Sequence, residues 1–492
     1  MKLDRLIEEL RPEKVEGKTA VEVKGVSADS RGIQPGYLFV AVSGRDRDGA
    51  DYIAQARDRG AVGIVLREFT SSVNSNLAQI KVTAPRRALA VLSNAIFHHP
   101  AAGMKMIGVV GTNGKTTVTH LARSIFEAAG ISTGLIGTNY YGIGQRRLPA
   151  ELTTPAPPRL QELLAEMKGA NSSRVIMEVS SHAIAQHRLE GIEFQTAVFT
   201  NFSRDHLDYH RTMEEYGAVK TGFFQDFSRG EIDPGTKMAI INNDDHLGRK
   251  ILQMIKTPVI TYGLCAGADL FASDVTLSRG GSVFKLHWKD SVYQVLISLP
   301  GRHNIYNALA AIGLGLNEAI ELPEIINSLQ DIRGISGRLE QVDTGRGFDL
   351  FIDYAHTPDG LENVLGALRE IDYRRIIVVF GCGGDRDETK RPLMGEVAAR
   401  LAERVIVTSD NPRSEDPEKI INDILSGIPR PDKRVMAIID RREAIEVACN
   451  QAGPGDVVLI AGKGHERKQI FRDTSIPFSD RDISRDILGK ME

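Results

Sequence analysis

Cysteine is scarce: three residues, Cys265, Cys382 and Cys449, in a chain of 492. An odd number spaced so widely excludes a disulfide framework and a four-thiolate metal site, and it fits a reducing compartment. No apolar run approaches the ~18 residues needed to cross a bilayer. The amphipathic stretch at residues 1–10 is interrupted by acids, unlike a secretory leader. A charge imbalance is missing too, since 61 Lys and Arg against 64 Asp and Glu leave a net charge of −3. That balance gives no electrostatic ground for a nucleic-acid or membrane partner. There is no repeat at solenoid period, no low-complexity tract and no long linker. A cytoplasmic monomer is expected.

What is present is an ordinary globular composition, 42% hydrophobic and 25% charged, in a chain too long for one core. At about 150 residues per domain it divides into three. Residues 1–99 carry short apolar strands at 37–42 and 62–66, as in a small α/β unit. Two polar clusters interrupt it, 27–31 around Ser30 and 44–49 with Arg45 and Arg47, and each fits a solvated turn as well as a ligand contact. From 100 to 334, near-continuous apolar strands at 106–110, 134–136, 175–179, 197–200 and 238–241 alternate with helical runs. Such a pattern predicts a parallel sheet covered on both faces, with ligands beyond the carboxyl ends of its strands. Alternation between 268 and 299, turning at Gly280 and Gly281, predicts an antiparallel insertion before a helix near Asn304. A fresh α/β series with strands at 350–352, 376–380, 405–407, 435–439 and 457–460 makes 335–492 a Rossmann-like third domain.

The segment 107–117, I-G-V-V-G-T-N-G-K-T-T, joins a buried strand to a glycine turn, a lysine and paired hydroxyls. Gly111 and Gly114 can take backbone angles barred to other residues, so the N–H groups of Thr112, Asn113 and their neighbours can face phosphate oxygens at a helix N-terminus. Lys115 would reach the outer phosphates, and Thr116, beside Thr117, offers a hydroxyl to Mg²⁺. A strict Walker A loop needs glycine where Val109 stands, so the core is G-x-x-G-K-T-T. Glu178 closes the apolar strand 175–179 next to that loop, a good place for an oxygen ligand to a hard cation. A dense polar run, 200–210, follows the next strand and includes His206, either a second ligand or an ordinary hydrogen-bonded histidine.

In this order, G-T-N-G-K-T-T at Gly111, E-V-S-S-H at Glu178, T-N-x-S-R-D-H-L-D-Y-H at Thr200, G-x-H-N-x-x-N at Gly301, G-R at Gly337, D-Y-A-H-T-P at Asp353 and G-C-G-G-D-R-D at Gly381 resemble the Mur ligase family of ATP-dependent amide-bond-forming enzymes. The D-N-P-R turn at Asp410 resembles the subgroup that adds meso-diaminopimelate to UDP-N-acetylmuramoyl-L-alanyl-D-glutamate in peptidoglycan precursor synthesis. The resemblance implies an acyl phosphate, formed from ATP, that an amine of diaminopimelate attacks. It implies nucleotide contacts from Lys115, Asn304, Arg338 and Asp353, and metal contacts from Thr116, Glu178 and His206. Lys220 matches the family's carbamylated lysine, although its spacing alone reads as a surface helix lysine. An ammonium about 5 Å from a metal at an effective dielectric of about 20 would oppose each unit of its charge by roughly 3 kcal/mol, where a carbamate would support it.

For the nucleotide-sugar substrate the resemblance implies Ser30, the 44–49 loop, Thr153, Thr154, Ser180, Gln186 and Arg188. Leu152 and Ala156 depart from the family pattern beside the threonine pair. The amino-acid pocket would use Arg386, Asp410, Asn411, Pro412, Arg413, Gly462 and Glu466, with Arg413 supplying a planar fork for the extra carboxylate that distinguishes diaminopimelate from lysine. A lysine-adding ligase is the nearest rival, a folylpolyglutamate synthetase a more distant one. From another class, a P-loop GTPase or a non-catalytic nucleotide-binding regulator also fits the phosphate loop.

Overall fold

The computed structural model describes residues 1–44, 47–70, 77–229, 233–429 and 433–491. Three α/β units follow one another, each on its own sheet. In the first, Ala78–Lys81, Gly63–Leu66, Tyr37–Val40 and Gly25–Ser27 run parallel, with Lys14–Glu16 antiparallel at one edge. The helices Leu3–Leu10 and Pro85–Ile96 bury Leu3, Leu6, Leu89 and Leu92 against Leu38, Val40 and Ile80.

The middle unit is built around Lys105–Val110, flanked on either side by the parallel strands Arg174–Val179 and Thr196–Phe199. Strand alternation sends Ile107 and Val109 to one face and Met106 and Val110 to the other. Both sets are fully buried. The first packs with the helices Lys115–Ala128 and Arg302–Asn317, the second with Pro157–Gly169 and Met213–Arg229. At about 1.5–3 kcal/mol per buried aliphatic side chain, this two-sided burial explains why the strand reads as a continuous apolar run. At Gly108 a Cβ would lie 3.0–3.1 Å from the rings of Phe194 and Phe223, which would have to shift by a few tenths of an ångström.

Leu270–Ser278, Gly281–Trp288 and Ser291–Ile297 form the anticipated antiparallel insertion and extend one edge of this eleven-stranded sheet. The hairpin Tyr140–Ile143 and Arg146–Pro149 extends the other. Neither that hairpin nor the strand Val259–Gly263 stands out in the sequence, because each is short and lacks a sustained period.

The third unit orders its strands Glu340–Val342, Asp349–Asp353, Val457–Ala461, Ile376–Phe380, Arg404–Val407 and Val435–Ala437, parallel except for the first. Val435–Ala437 stops short of the expected 439 because Asp440 caps the helix Arg441–Gln451, accepting from Glu443 N. A small hairpin, Lys468–Ile470 with Ser475–Pro477, lies beyond the last parallel strand. Among the described residues no helix is long and apolar enough to cross a membrane.

Candidate active site

The loop after Lys105–Val110 turns through Gly114, at φ 85°, into the helix Lys115–Ala128. That left-handed angle favours glycine, and a Cβ at Gly114 would also collide with the Asn307 side chain. Gly111 is equally constrained by Thr200, whose hydroxyl donates to Asn113 O at 2.7 Å. Asn113 N is held by Asn201 Oδ1 at 2.8 Å, and the Thr112 hydroxyl lies between Ser203 O and the Tyr216 hydroxyl. The Lys115 ammonium folds back onto its own loop, donating to Gly111 O at 2.9 Å and Thr112 O at 2.8 Å. Burial lowers its pKa, against the opposing pull of Glu178 and Asp205.

Glu178, 1% exposed, is the hub behind this loop. One carboxylate oxygen accepts from Thr116 Oγ1 and Thr138 Oγ1, both at 3.0 Å, and the other accepts from Thr138 N at 2.8 Å. Thr138 in turn meets Thr153 Oγ1 at 3.0 Å, and Thr154 Oγ1 donates to Glu178 O at 2.7 Å. One acid therefore links the phosphate loop to the threonine pair. His206, at φ 55°, lies 3.3 Å from Asp205 and edge-on to His182. Burial holds its imidazole neutral, its pKa lowered to about 3. Lys220 is 1% exposed, with its Nζ 4.4 Å from the centre of the Tyr216 ring, and burial drives its pKa well down. No hydrogen bond joins His206 or Lys220 to Glu178 among the described residues, nor do these hold a cluster of three or more His, Cys, Asp or Glu suited to a metal ion.

The third unit supplies the facing wall. Arg338 NH2 donates to Thr116 Oγ1 at 2.9 Å, its guanidinium lies over Tyr354, and its Nε is buried with no partner among the described residues. Asp353, at the end of Asp349–Asp353, accepts from Leu339 N and Ala355 N, and burial raises its pKa while Arg338 opposes the rise. Asp359 crosses the gap directly, accepting from Asn113 Nδ2 at 2.7 Å and Ser203 Oγ at 2.8 Å.

Two clefts result. One, of about 330 Å³, contains Asn113, Gly114, Thr117, Asn304, Arg338 and Asp353. The other, of about 390 Å³, has Thr153, Thr154, Ser180, Arg188 and His206 on the middle unit, facing Arg386, Asp410, Asn411, Arg413, Gly462 and Glu466 on the third. Tyr354 and His356 belong to both. Gln186 stands behind the second cleft, accepting from Arg188 NH2 at 2.8 Å, while Pro412 forms the turn without lining it. Leu152 lines this cleft, 46% exposed, and Ala156 begins the helix Pro157–Gly169 with no side-chain cap. Ser30 reaches neither cleft and donates to Gln55 Oε1 at 2.5 Å; in the 44–49 loop, Arg45 and Asp46 lie outside the described residues.

Sequence reasoning gave no role to Thr138, His356 or Asp359. His356 lies inside the quoted D-Y-A-H-T-P motif and so had a signal; Thr138 reaches Glu178 across 40 residues of chain and had none.

A UDP-N-acetylmuramoyl-L-alanyl-D-glutamate--2,6-diaminopimelate ligase of Syntrophomonas wolfei subsp. wolfei is 41% identical over 494 residues, covering 100% of both chains. The chain belongs to the Mur ligase family. Family models agree: the Mur ligase middle domain matches residues 109–315 of this Mur ligase, the glutamate ligase domain 337–464, and the Mur ligase family catalytic domain 22–99. A Geobacillus thermodenitrificans relative of the same name is 42% identical over 485 residues, 99% of each chain. A solved structure of a UDP-N-acetylmuramoyl-L-alanyl-D-glutamate--2,6-diaminopimelate ligase superposes with a TM-score of 0.69 at 31% identity, covering 98% of each chain. The three-domain α/β fold expected for this Mur ligase is thus its fold.

Proposed function

We propose that this Mur ligase joins meso-diaminopimelate to UDP-N-acetylmuramoyl-L-alanyl-D-glutamate at the expense of ATP, in the cytoplasm and as a monomer, with domains at 1–99, 100–334 and 335–492. The observation that carries the reading is the meeting of two clefts at Tyr354 and His356, one walled by a phosphate loop and the other by facing cationic and anionic side chains. Full-length relatives of that name support it.

A carboxylate does not accept an amine, because its oxygen is a poor leaving group. Transfer of the γ-phosphoryl group to the D-glutamyl side-chain carboxylate makes phosphate the leaving group. The amine then forms the C–N bond, the C–O bond to phosphate breaks, and the amine proton is released. Catalysis is chiefly positioning and charge neutralisation. Gly111, Thr112, Asn113, Gly114 and Thr117 would cradle phosphates, Lys115 and Arg338 would neutralise them, and Asn304 and Asp353 would hold the nucleoside. Thr153, Thr154, Ser180, Gln186 and Arg188 would orient the sugar peptide, with Ser30 near the uridine. Arg386, the turn Asp410, Asn411, Pro412, Arg413, and Gly462 and Glu466 would receive the amino acid.

Mg²⁺ fits this site: Thr116 and Glu178 offer hard oxygens, joined at 3.0 Å, and Mg²⁺ takes few protein ligands while keeping waters and phosphates. When bound it would supply charge neutralisation at the phosphates, and His206 and a carbamylated Lys220 would help to hold it. Lys220 is suited to carbamylation because burial lowers the pKa of its amine and so favours the neutral form, which adds CO₂. ¹³C-bicarbonate should then give a carbamate NMR signal that Lys220→Arg lacks; no signal would remove this part.

Phosphate release by the purified protein is the deciding experiment. It should require both the UDP-sugar dipeptide and diaminopimelate. Equal stimulation by lysine would favour the lysine-adding rival, and release with GTP that ignores amino acids would end the ligase reading.

A further inference from the structure

Lys463 sits between Gly462, at φ 111°, and Gly464, at φ 53°. These two left-handed turns fold the lysine inward, and its side chain is completely buried. A buried ammonium is strongly disfavoured unless every donor is satisfied and the charge is paired. Here all three donors are used: Nζ donates to Glu466 Oε2 at 2.9 Å, Asn411 Oδ1 at 3.0 Å and Lys468 O at 2.7 Å.

The acceptors come from three places in the chain, and two of them, Glu466 and Asn411, line the second cleft. Glu466 follows the strand Val457–Ala461, Asn411 lies in the turn that carries Arg413, and Lys468 begins the small hairpin. Asn411 Nδ2 donates to the same Glu466 Oε2 at 2.7 Å, so that oxygen is already shared by two donors. The other carboxylate oxygen of Glu466 has no hydrogen bond among the described residues, and Glu466 lines the cleft. The turn is pinned from the hairpin as well, through Ile470 N to Asn411 Oδ1 and Arg413 N to Ile470 O, both at 3.0 Å.

We propose that Lys463 is a positioning residue for the incoming amino acid. By occupying one oxygen of Glu466 while gripping the turn that bears Arg413, it fixes the spacing between an anionic and a cationic contact and leaves one Glu466 oxygen free. A free amino-acid end carries an ammonium and a carboxylate at a set separation. Glu466 would take the ammonium and Arg413 the carboxylate. This rests on the reading of the second cleft as the amino-acid site. Lys463 never touches the substrate; it acts through Glu466 and Asn411.

The test uses the full-length protein and steady-state phosphate release with each of the three substrates varied in turn. Lys463→Met and Lys463→Gln are made alone and in a Glu466→Gln background. Each single variant should raise the KM for diaminopimelate about tenfold or more, leaving those for ATP and the UDP-sugar dipeptide within about twofold. In the Glu466→Gln background the same substitutions should add less than about twofold, since two residues acting as a unit are not additive. KM values that rise together, effects that multiply in the double variants, or loss of the folded state in both Met and Gln variants would each overturn the proposal. A wild-type protein that turns over without diaminopimelate would instead sink the reading of the cleft, an outcome read before any variant is made.

Discussion

Arg413 shows how much one residue's backbone can matter. Its φ of 52° lies in the left-handed region, a conformation costing a non-glycine residue about 1 kcal/mol, and the turn sustains it through Arg413 N to Ile470 O. The guanidinium is thereby held against Gly384 O at 2.6 Å on the cleft wall. Removing the side chain should cost amino-acid recognition and little else. Arg413→Ala is expected to raise the KM for diaminopimelate by about 100-fold, on the scale of a charged hydrogen-bond partner of about 3 kcal/mol, with the KM for ATP barely changed. Equal rises in both would count against Arg413 as the carboxylate contact. The D-N-P-R turn was legible because its residues are distinctive together. Lys463 was not, and Lys220 only through the family resemblance, because a lysine buried at 0% or 1% looks, in sequence, like any surface lysine on a loop or helix.

Elements are fastened at both ends of the third sheet. At the end bearing the cleft, the buried guanidinium of Arg441 is paired with Asp480 at 2.8 Å and donates to Ala461 O and Ser409 O, tying together the strand ends from which the amino-acid loops spring. At the opposite end, Asp456 accepts from Arg374, Arg375 and Gly453 N where two neighbouring strands begin. Although burial alone would raise its pKa, the hydrogen bonds from Arg374 and Arg375 hold the carboxyl far below the usual carboxylate range. Its folded pKa being depressed, this group contributes stability above the unfolded value of about 3.9, and the contribution is lost as pH falls below that value. Asp456→Asn should therefore lower the stability of this domain by about 2 kcal/mol at pH 7, less than for a fully buried pair because the arginines are partly exposed. The gap from wild type should narrow as pH drops from about 4 towards 2. Urea unfolding across that range checks it, and a gap that persists into acid would refute the ionic explanation.

Apart from Val259–Gly263, the parallel strands of the second and third sheets could be read from the sequence because burial on both faces writes an unbroken apolar run. Gly25–Ser27, Ala78–Lys81 and the hairpin of Tyr140–Ile143 with Arg146–Pro149 could not, since three or four residues give no period to detect.

For the molecule as a whole, the middle and third units are joined across the nucleotide cleft by a few polar contacts. Asp359 bonds to Asn113 and Ser203, Arg338 to Thr116, and Asn139 Nδ2 to Ser336 O. Asn113, Thr116 and Arg338 are also residues that nucleotide would approach on the proposed reading, so ATP binding should respond to the contacts between the two units. Asp359→Ala should loosen the arrangement, raising the KM for ATP severalfold and increasing the radius of gyration in small-angle scattering without nucleotide. Unchanged scattering would show that Asp359 does not hold the units together. No sequence pattern announces such contacts, because Asn113 and Asp359 are 246 residues apart and meet only through the packing of two finished domains.

Tyr354 and His356 line both clefts, so the two chambers share those side chains as a common border. A compound that fills one chamber contends with one substrate and loses ground as that substrate accumulates. On the proposed reading, a compound spanning that border would have to be evicted by two substrates at once, which makes it the place to aim an inhibitor.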